Sequence, residues 1–288
     1  MALSMRAVVV ALAGMLLALP MDAGAITIFS DAGASSAAIQ DTVDAYRAAL
    51  GDPINGNNPG PLAAGRREIN WDGGGPPVID GTAPLTPFVV FQNTRGGTFT
   101  TPGTGLTQAA ATGGLLSLDL INPTYAALFA PFSPNRLFTP LGSNVTDGSF
   151  SIPGSGGTVA AGVQGFGAVF SDVDLASVTT IQYFDTDGNS LGIFNVPAFQ
   201  GNQTFSFLGI TTDANEPLIG SFRIVTGNAA LGPNESPTVD LVVMDDFFYA
   251  EPRLAINRVP QPLSVQLLAI GLLALAALSR VARGGARR

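Results

Sequence analysis

Apolar positions between residues 35 and 50 recur at helical spacing. Ile39, Val43, Tyr46 and Leu50 form one stripe, while Asp41, Asp44 and Arg47 fall outside it, and Gly51-Asp52-Pro53 supplies a stop. Ahead of this helix, Ile26-Thr27-Ile28-Phe29 alternates as a strand does. Later in the chain the period becomes two. Thr204-Phe205-Ser206-Phe207 and Ser221-Phe222-Arg223-Ile224 each give one dry and one wet face. Strands are predicted at 115–120, 150–152, 165–173, 178–184, 191–196, 204–210, 219–225 and 239–249, with Gly, Asn, Asp or Pro between them. This spacing predicts a mainly all-β domain, an antiparallel β-sandwich with one N-terminal helix. Helix–strand alternation, the mark of a doubly wound parallel sheet, is missing. Residues 55–114 are rich in Gly, Pro, Asn and Thr around short apolar pieces such as Phe88-Val89-Val90-Phe91, which predicts long loops over a sheet edge. Gly154-Ser155-Gly156-Gly157 reads as a flexible connection, and residues 251–258 as a stalk after the domain.

The two ends have patterns of their own. Ser4 and Arg6 precede an apolar run at 7–19, and Ala23-Gly24-Ala25 follows with small residues at the positions a signal peptidase needs. Residues 1–25 are therefore expected to be a signal peptide cut after Ala25, with a core too short to span a bilayer. At the other end, the apolar run 263–278 extends to 282 if Arg280 snorkels, predicting a C-terminal transmembrane helix over 263–282. Arg280, Arg283, Arg287 and Arg288 gather behind it and act as a membrane stop, putting the C-terminus in the cytoplasm. Each contributes about 1 kcal/mol near an anionic leaflet. A permanent anchor and a processed tail both fit. The mature domain is then 26–250, followed by the stalk and a tail at 259–288.

Within 26–258, 8 arginines face 20 acidic residues, so the exported part carries a net charge of −12. Nucleic acid is not an expected partner of such a surface. Histidine and cysteine are absent, which excludes Ser-His-Asp and Cys-His catalysis, histidine-rich zinc sites and disulfide staples. Carboxylate chemistry remains. A glycosidase needs two carboxyls about 5 to 9.5 Å apart, and the four glutamates, Glu68, Glu216, Glu235 and Glu251, all sit beside loop signals. The expectation is a protein that is not an enzyme, with a carboxylate-dependent extracellular glycan-active enzyme as the alternative.

The acidic positions also offer a metal. Asp172 and Asp174 share a face if their strand is regular, and Asp185, Asp187 and Asn189 crowd the next hairpin. Such hard oxygens suit Ca²⁺. The spacing is not that of an EF-hand, because Gly188 comes too early and Val196 occupies the closing position. Asp187-Gly188 also reads as a plain hairpin turn. Trp71, flanked by Asn70 and Asp72, is either a sugar-stacking platform or a buried anchor. Tyr183 and Tyr249 read as strand packing.

The order of Val259-Pro260-Gln261-Pro262, an apolar helix and a terminal arginine cluster resembles the PEP-CTERM sorting signal of Gram-negative bacteria over residues 259–288, with Gln261 where that family carries glutamate. The resemblance implies an exosortase-like processing enzyme as partner and a transient membrane intermediate. It further implies release or attachment outside the cell, beside exopolysaccharide. Phe166-Gly167-Ala168-Val169-Phe170-Ser171-Asp172-Val173-Asp174, Ile181-Gln182-Tyr183-Phe184-Asp185 and Asp245-Asp246-Phe247-Phe248 resemble the second half of many PEP-CTERM proteins, which implies a jelly-roll or lectin-like sandwich. The segment Gly65-Arg66-Arg67-Glu68-Ile69-Asn70-Trp71-Asp72-Gly73 is similar to one in uncharacterised secreted bacterial proteins and implies no activity. The resulting expectation is an exported envelope or extracellular-matrix protein with a structural or adhesive, polysaccharide-binding role.

Overall fold

The structure is a computed structural model that describes residues 26–72, 83–213, 218–254 and 271. Helix α1 (Ser36–Leu50) forms on the predicted stripe, and Ile39, Val43, Tyr46 and Leu50 are all buried. Around it the chain runs through strands β1 (Ile26–Gly33), β2 (Arg66–Ile69), β3 (Gly97–Thr100), β4 (Gly105–Ala109), β5 (Leu137–Leu141), β6 (Val145–Ser151) and β7 (Ala160–Gly162). Then follow β8 (Gly165–Ser171), β9 (Thr180–Asp185), β10 (Ser190–Asn195), β11 (Phe205–Thr212), β12 (Ile219–Val225), β13 (Val243–Ala250) and β14 (Arg253–Leu254). They form two 7-stranded sheets. One has the order β1-β11-β8-β13-β5-β4 with β2 also on β13, and the other has β10-β9-β12-β6-β7-β14 with β3 also on β6. The pairings between these strands are antiparallel.

Aromatic rings join the sheets. Phe166 of β8 stacks on Phe222 of β12 with centroids 3.7 Å apart, and Phe247 meets both edge-on. The first sheet is buried on its other face too, because α1 lies on it. Tyr46 donates to the Ile210 carbonyl and packs where Gly167 and Gly209 pair across β8 and β11. A Cβ at Gly209 would come within 2.7 Å of the Tyr46 ring, so this close approach requires glycine. Two-sided packing explains why β8 and β13 are buried along their whole length without alternation.

Several expectations are corrected. Residues 115–120 are not a strand. Leu118–Leu120 is a 3₁₀ turn, with the Ile121 amide on the Leu118 carbonyl and the Leu118 and Asp119 amides on the carbonyls of Ala110 and Ala111. The supposed loop region 55–114 contains β2, β3 and β4, and β5 was hidden by Pro140, which sits opposite Leu106 near a sheet margin. Gly154 and Gly156 are tied to Asn93 and form a hydrogen-bonded turn, not a loose connection. The stalk expected from residue 251 starts inside the fold. Glu251 and Arg67 form an ion pair in which both side chains are 0% exposed, and β14 pairs with Ala161 and Gly162 of β7.

Ala23, Ala25, Val259, Pro260, Gln261, Pro262, Arg280, Arg283, Arg287 and Arg288 lie outside the described residues. So does the expected span 263–282, apart from Gly271. Among the described residues no helix is long and apolar enough to cross a membrane.

The buried ion pair generates a test. Arg67→Met leaves the Glu251 carboxylate buried without its counter-charge, a change that destabilises by about 3–5 kcal/mol. Urea denaturation should show a loss of that size, and a loss below about 1 kcal/mol would refute the assignment.

Candidate acidic site at the sandwich rim

The end of β8 is built to bring carboxylates together. After Ser171 the backbone turns left-handed at Asp172, with φ 73°, and the Asp172 amide donates to the Thr204 carbonyl. The reversal takes Asp172 out of regular strand geometry, so the alternation argument that paired it with Asp174 does not apply. The two still converge. Asp174 is held by two contacts: its Oδ1 accepts from the Gly201 amide at 2.8 Å, and its own amide donates to Asp240 at 3.2 Å. Asp240 also accepts from the Leu175 amide at 3.1 Å, so both of its oxygens are engaged.

The third acid comes from the long β12–β13 loop. Asn122 donates to the carbonyls of Gly232 and Pro233 and to the Asn234 side chain. The Tyr125 hydroxyl accepts from the Gly232 amide at 2.7 Å and donates to the Pro233 carbonyl at 2.9 Å. These contacts fix the turn that carries Glu235 against Asp172 and Asp174. One carboxylate oxygen from each of the three can be chosen so that all lie within 4.8 Å of one another.

Burial and charge here act in the same direction. Asp172 is 0% exposed, and neither of its carboxylate oxygens has a hydrogen-bond partner. Glu235 Oε1 is likewise buried and unpartnered. Desolvation, followed by the charges of Glu235, Asp174 and Asp240, pushes the Asp172 carboxyl up to about 9. The Gln203 amide opposes this little, since it donates to the Leu128 carbonyl. Desolvation and then Asp174 push Glu235 up to about 7. Asp174 and Glu235 open onto a cleft of about 680 Å³ that Gln200, Asn202, Asn234 and Ser236 also line.

The other proposed ligands are elsewhere. Asp185 ends β9 opposite Ile219, which bridges to Val163 just ahead of β8. It therefore lies at the far end of the sandwich from Asp172, one six-residue strand away, or roughly 20 Å at the usual rise. Its Oδ1 accepts from the amides of Asp187 and Asn189, and its Oδ2 from the Asn189 side chain. With Gly188 at φ 86°, this is a hairpin turn whose acid is satisfied locally. The five-residue ligand set Asp172, Asp174, Asp185, Asp187 and Asn189 is thus split by the length of a strand. Glu235, one of the four glutamates, falls outside that ligand set because it lies more than sixty residues beyond Asp172. Its one sequence signal is a rigid setting between Pro233 and Pro237.

Trp71 is not a sugar platform. It is 0% exposed, stacks on Phe138 at 3.6 Å, and donates from Nε1 to the Asp245 carbonyl at 2.8 Å. Tyr183 and Tyr249 are buried packing, with hydroxyls on the Phe166 and Arg95 carbonyls. Asn144 donates to the Gly227 carbonyl, and Thr146 is fully buried.

A second buried pair lies in β13, where a bulge between Met244 and Phe247 carries Asp245 and Asp246. Asp245 Oδ2 accepts from the Phe132 amide while Oδ1 has no partner, and Asp246 accepts from Ser133. Burial first, then the Asp246 charge, raises Asp245 well above the usual carboxylate range.

No protein-family model matches this chain, and no curated protein matches it. Among solved structures it is similar to the crystal structure of the enzymatically active domain of bacteriophage CBA120 tailspike protein 4. The identity is 17% and the TM-score 0.26, over 63% of this chain and 23% of that one. The chain spans less than a quarter of that tailspike's length, and a TM-score of this size carries no argument about fold or function.

The Asp245 pair makes stability pH-dependent. A carboxyl raised in the folded state keeps its proton there after the unfolded chain has lost it near pH 4, so folding stability falls as pH rises above that value. Asp245→Asn should flatten this decline and stabilise the protein at about pH 8 more than at about pH 4.5. Urea melts at the two pH values check it; an unchanged slope would contradict the reading.

Proposed function

We propose that this chain is an exported protein of the cell envelope or extracellular matrix, with a structural or adhesive role exercised by binding polysaccharide, and that it is not an enzyme. The observation that carries the binding reading is the rim cleft. Gln200, Asn202, Asn234 and Ser236 line it beside Asp174 and Glu235, and such amides, hydroxyls and carboxylates both donate to and accept from sugar hydroxyls. Leu128, Leu175 and Pro237 add apolar surface of the kind that takes the C–H face of a sugar ring. The two antiparallel sheets are compatible with the jelly-roll or lectin-like form that belongs to this proposal.

Export and sorting are part of the same reading, supported by the sequence at both ends. The signal peptide ends at Ala25. The tail from Val259 to Arg288 holds the protein briefly in the inner membrane until an exosortase-like protease acts at Val259-Pro260-Gln261-Pro262, with the exported part displayed beside exopolysaccharide. A second reading, a carboxylate-dependent enzyme acting on extracellular glycans, is favoured by one observation: Glu235 opens onto the cleft with its carboxyl raised to about 7, near the value a general acid needs.

Mass spectrometry of the exported form should find Ile26 first and a C-terminus near Pro260; an intact Arg288 would exclude processing. Calorimetric titration of the full chain with an exopolysaccharide preparation should show binding without release of reducing sugar. Gln200→Ala with Asn202→Ala should weaken that binding about tenfold, or about 1.4 kcal/mol, at unchanged melting temperature. Failure to bind, or equal binding by the double variant, would overturn the cleft assignment, and released sugar would establish the second reading.

A further inference from the structure

We propose that Asp172, Asp174 and Glu235 hold a Ca²⁺ ion at the base of the rim cleft, tying the segment after β8 to the long β12–β13 loop. The inference goes beyond the polysaccharide reading and stands whether or not the cleft binds sugar. Its first support is geometric. Ligand oxygens lie about 2.3–2.6 Å from Ca²⁺, so two on opposite sides of one ion are about 4.8 Å apart. The three carboxylates offer oxygens within 4.8 Å of one another. Mg²⁺ needs a tighter octahedron with oxygens at about 2.0–2.1 Å, and a set made only of carboxylates lacks the nitrogen and sulfur donors that zinc favours.

The second support is independent of clustering. Asp172 is 0% exposed, yet both of its carboxylate oxygens are without a partner, as is Glu235 Oε1. A buried carboxylate is ordinarily hydrogen-bonded, paired or bound to a metal. Asp240 beside the site obeys that rule, with both oxygens on the amides of Asp174 and Leu175. The charges acting on Asp172 are Glu235, Asp174 and Asp240, all acidic, and no arginine among the described residues is one of them. A divalent cation supplies the missing partner for all three orphan oxygens at once.

The roles then divide. Asp172 is the buried ligand, and Asp174 and Glu235 reach the ion from the cleft wall. Asp240 supports the site without ligating, since its two oxygens are taken up in holding the backbone that carries Asp174. Second carboxylate oxygens and cleft water complete the six to eight ligands that Ca²⁺ accepts.

The test uses the full chain after chelator treatment, titrated with CaCl₂ in a calorimeter and melted with and without the ion. One Ca²⁺ should bind per chain and raise the melting temperature, with a smaller rise from Mg²⁺. Asp172→Asn should weaken Ca²⁺ binding at least tenfold, while the chelated variant melts no lower than the chelated parent, because an amide of the same shape replaces a buried carboxyl that has no partner. Glu235→Gln, at the cleft wall, should weaken binding similarly and serves if Asp172→Asn fails to fold. Asp185→Asn should leave the Ca²⁺ response intact. Absence of binding heat and of any melting shift would overturn the proposal. So would an equal Mg²⁺ response, or a Ca²⁺ response that survives both Asp172→Asn and Glu235→Gln.

Discussion

The fold depends on one buried ion pair. Arg67 Nε and Nη2 meet the two oxygens of Glu251 at 2.7 and 2.8 Å with both side chains fully out of water. Desolvating two such charges is unfavourable unless the remaining donors and acceptors are satisfied, and here they are. Arg67 Nη1 donates to the carbonyls of Gly56 and Thr94, and Glu251 also accepts from Asn55 and the Leu62 amide. One pair thereby gathers the 51–65 loop, β2, the turn before β3 and the end of β13. Just past Glu251, β14 pairs with β7.

Beside this pair, Asp172, Asp240, Asp245 and Asp246 are also buried, in a chain without lysine or histidine. Their environments differ in a way that separates architecture from a candidate site. Asp240 is saturated by backbone amides, and Asp72 accepts from the amides of Asn135 and Arg136. Asp246 has Ser133. Such acids are held by backbone amides or a hydroxyl and organise loops. Asp172 is different because both of its buried oxygens lack a partner and its neighbours are acids, whereas Asp245 keeps the Phe132 amide on one oxygen. A local arrangement that disfavours its own charged state persists because the rest of the structure holds it, and that contrast marks the rim.

Much of the scaffold was legible because burial imposes periodicity. The stripe Ile39, Val43, Tyr46 and Leu50 could only be a helix face, and β12 was read at both of its ends. Legibility failed where periodicity alone was misleading. The apolar positions at 115–120 end in a 3₁₀ turn, and Pro140 disguised β5. Of the site, Asp172 and Asp174 were visible as neighbours in sequence. Asp185, Asp187 and Asn189 were assigned to it on nearness along the chain, which a single intervening strand converts into distance.

The sequence by itself determined the class of this protein: an acidic, cysteine-free, mainly β domain with one amphipathic helix. Those properties follow from composition and from periods of two and about 3.6, which are local. Only the tertiary structure decided that Glu251 closes the core, that Trp71 is buried against Phe138, and that Glu235 joins Asp172 and Asp174. Each of these is a contact between residues more than sixty positions apart, and its partner is chosen by sheet topology and loop anchoring, to which local patterning carries no key.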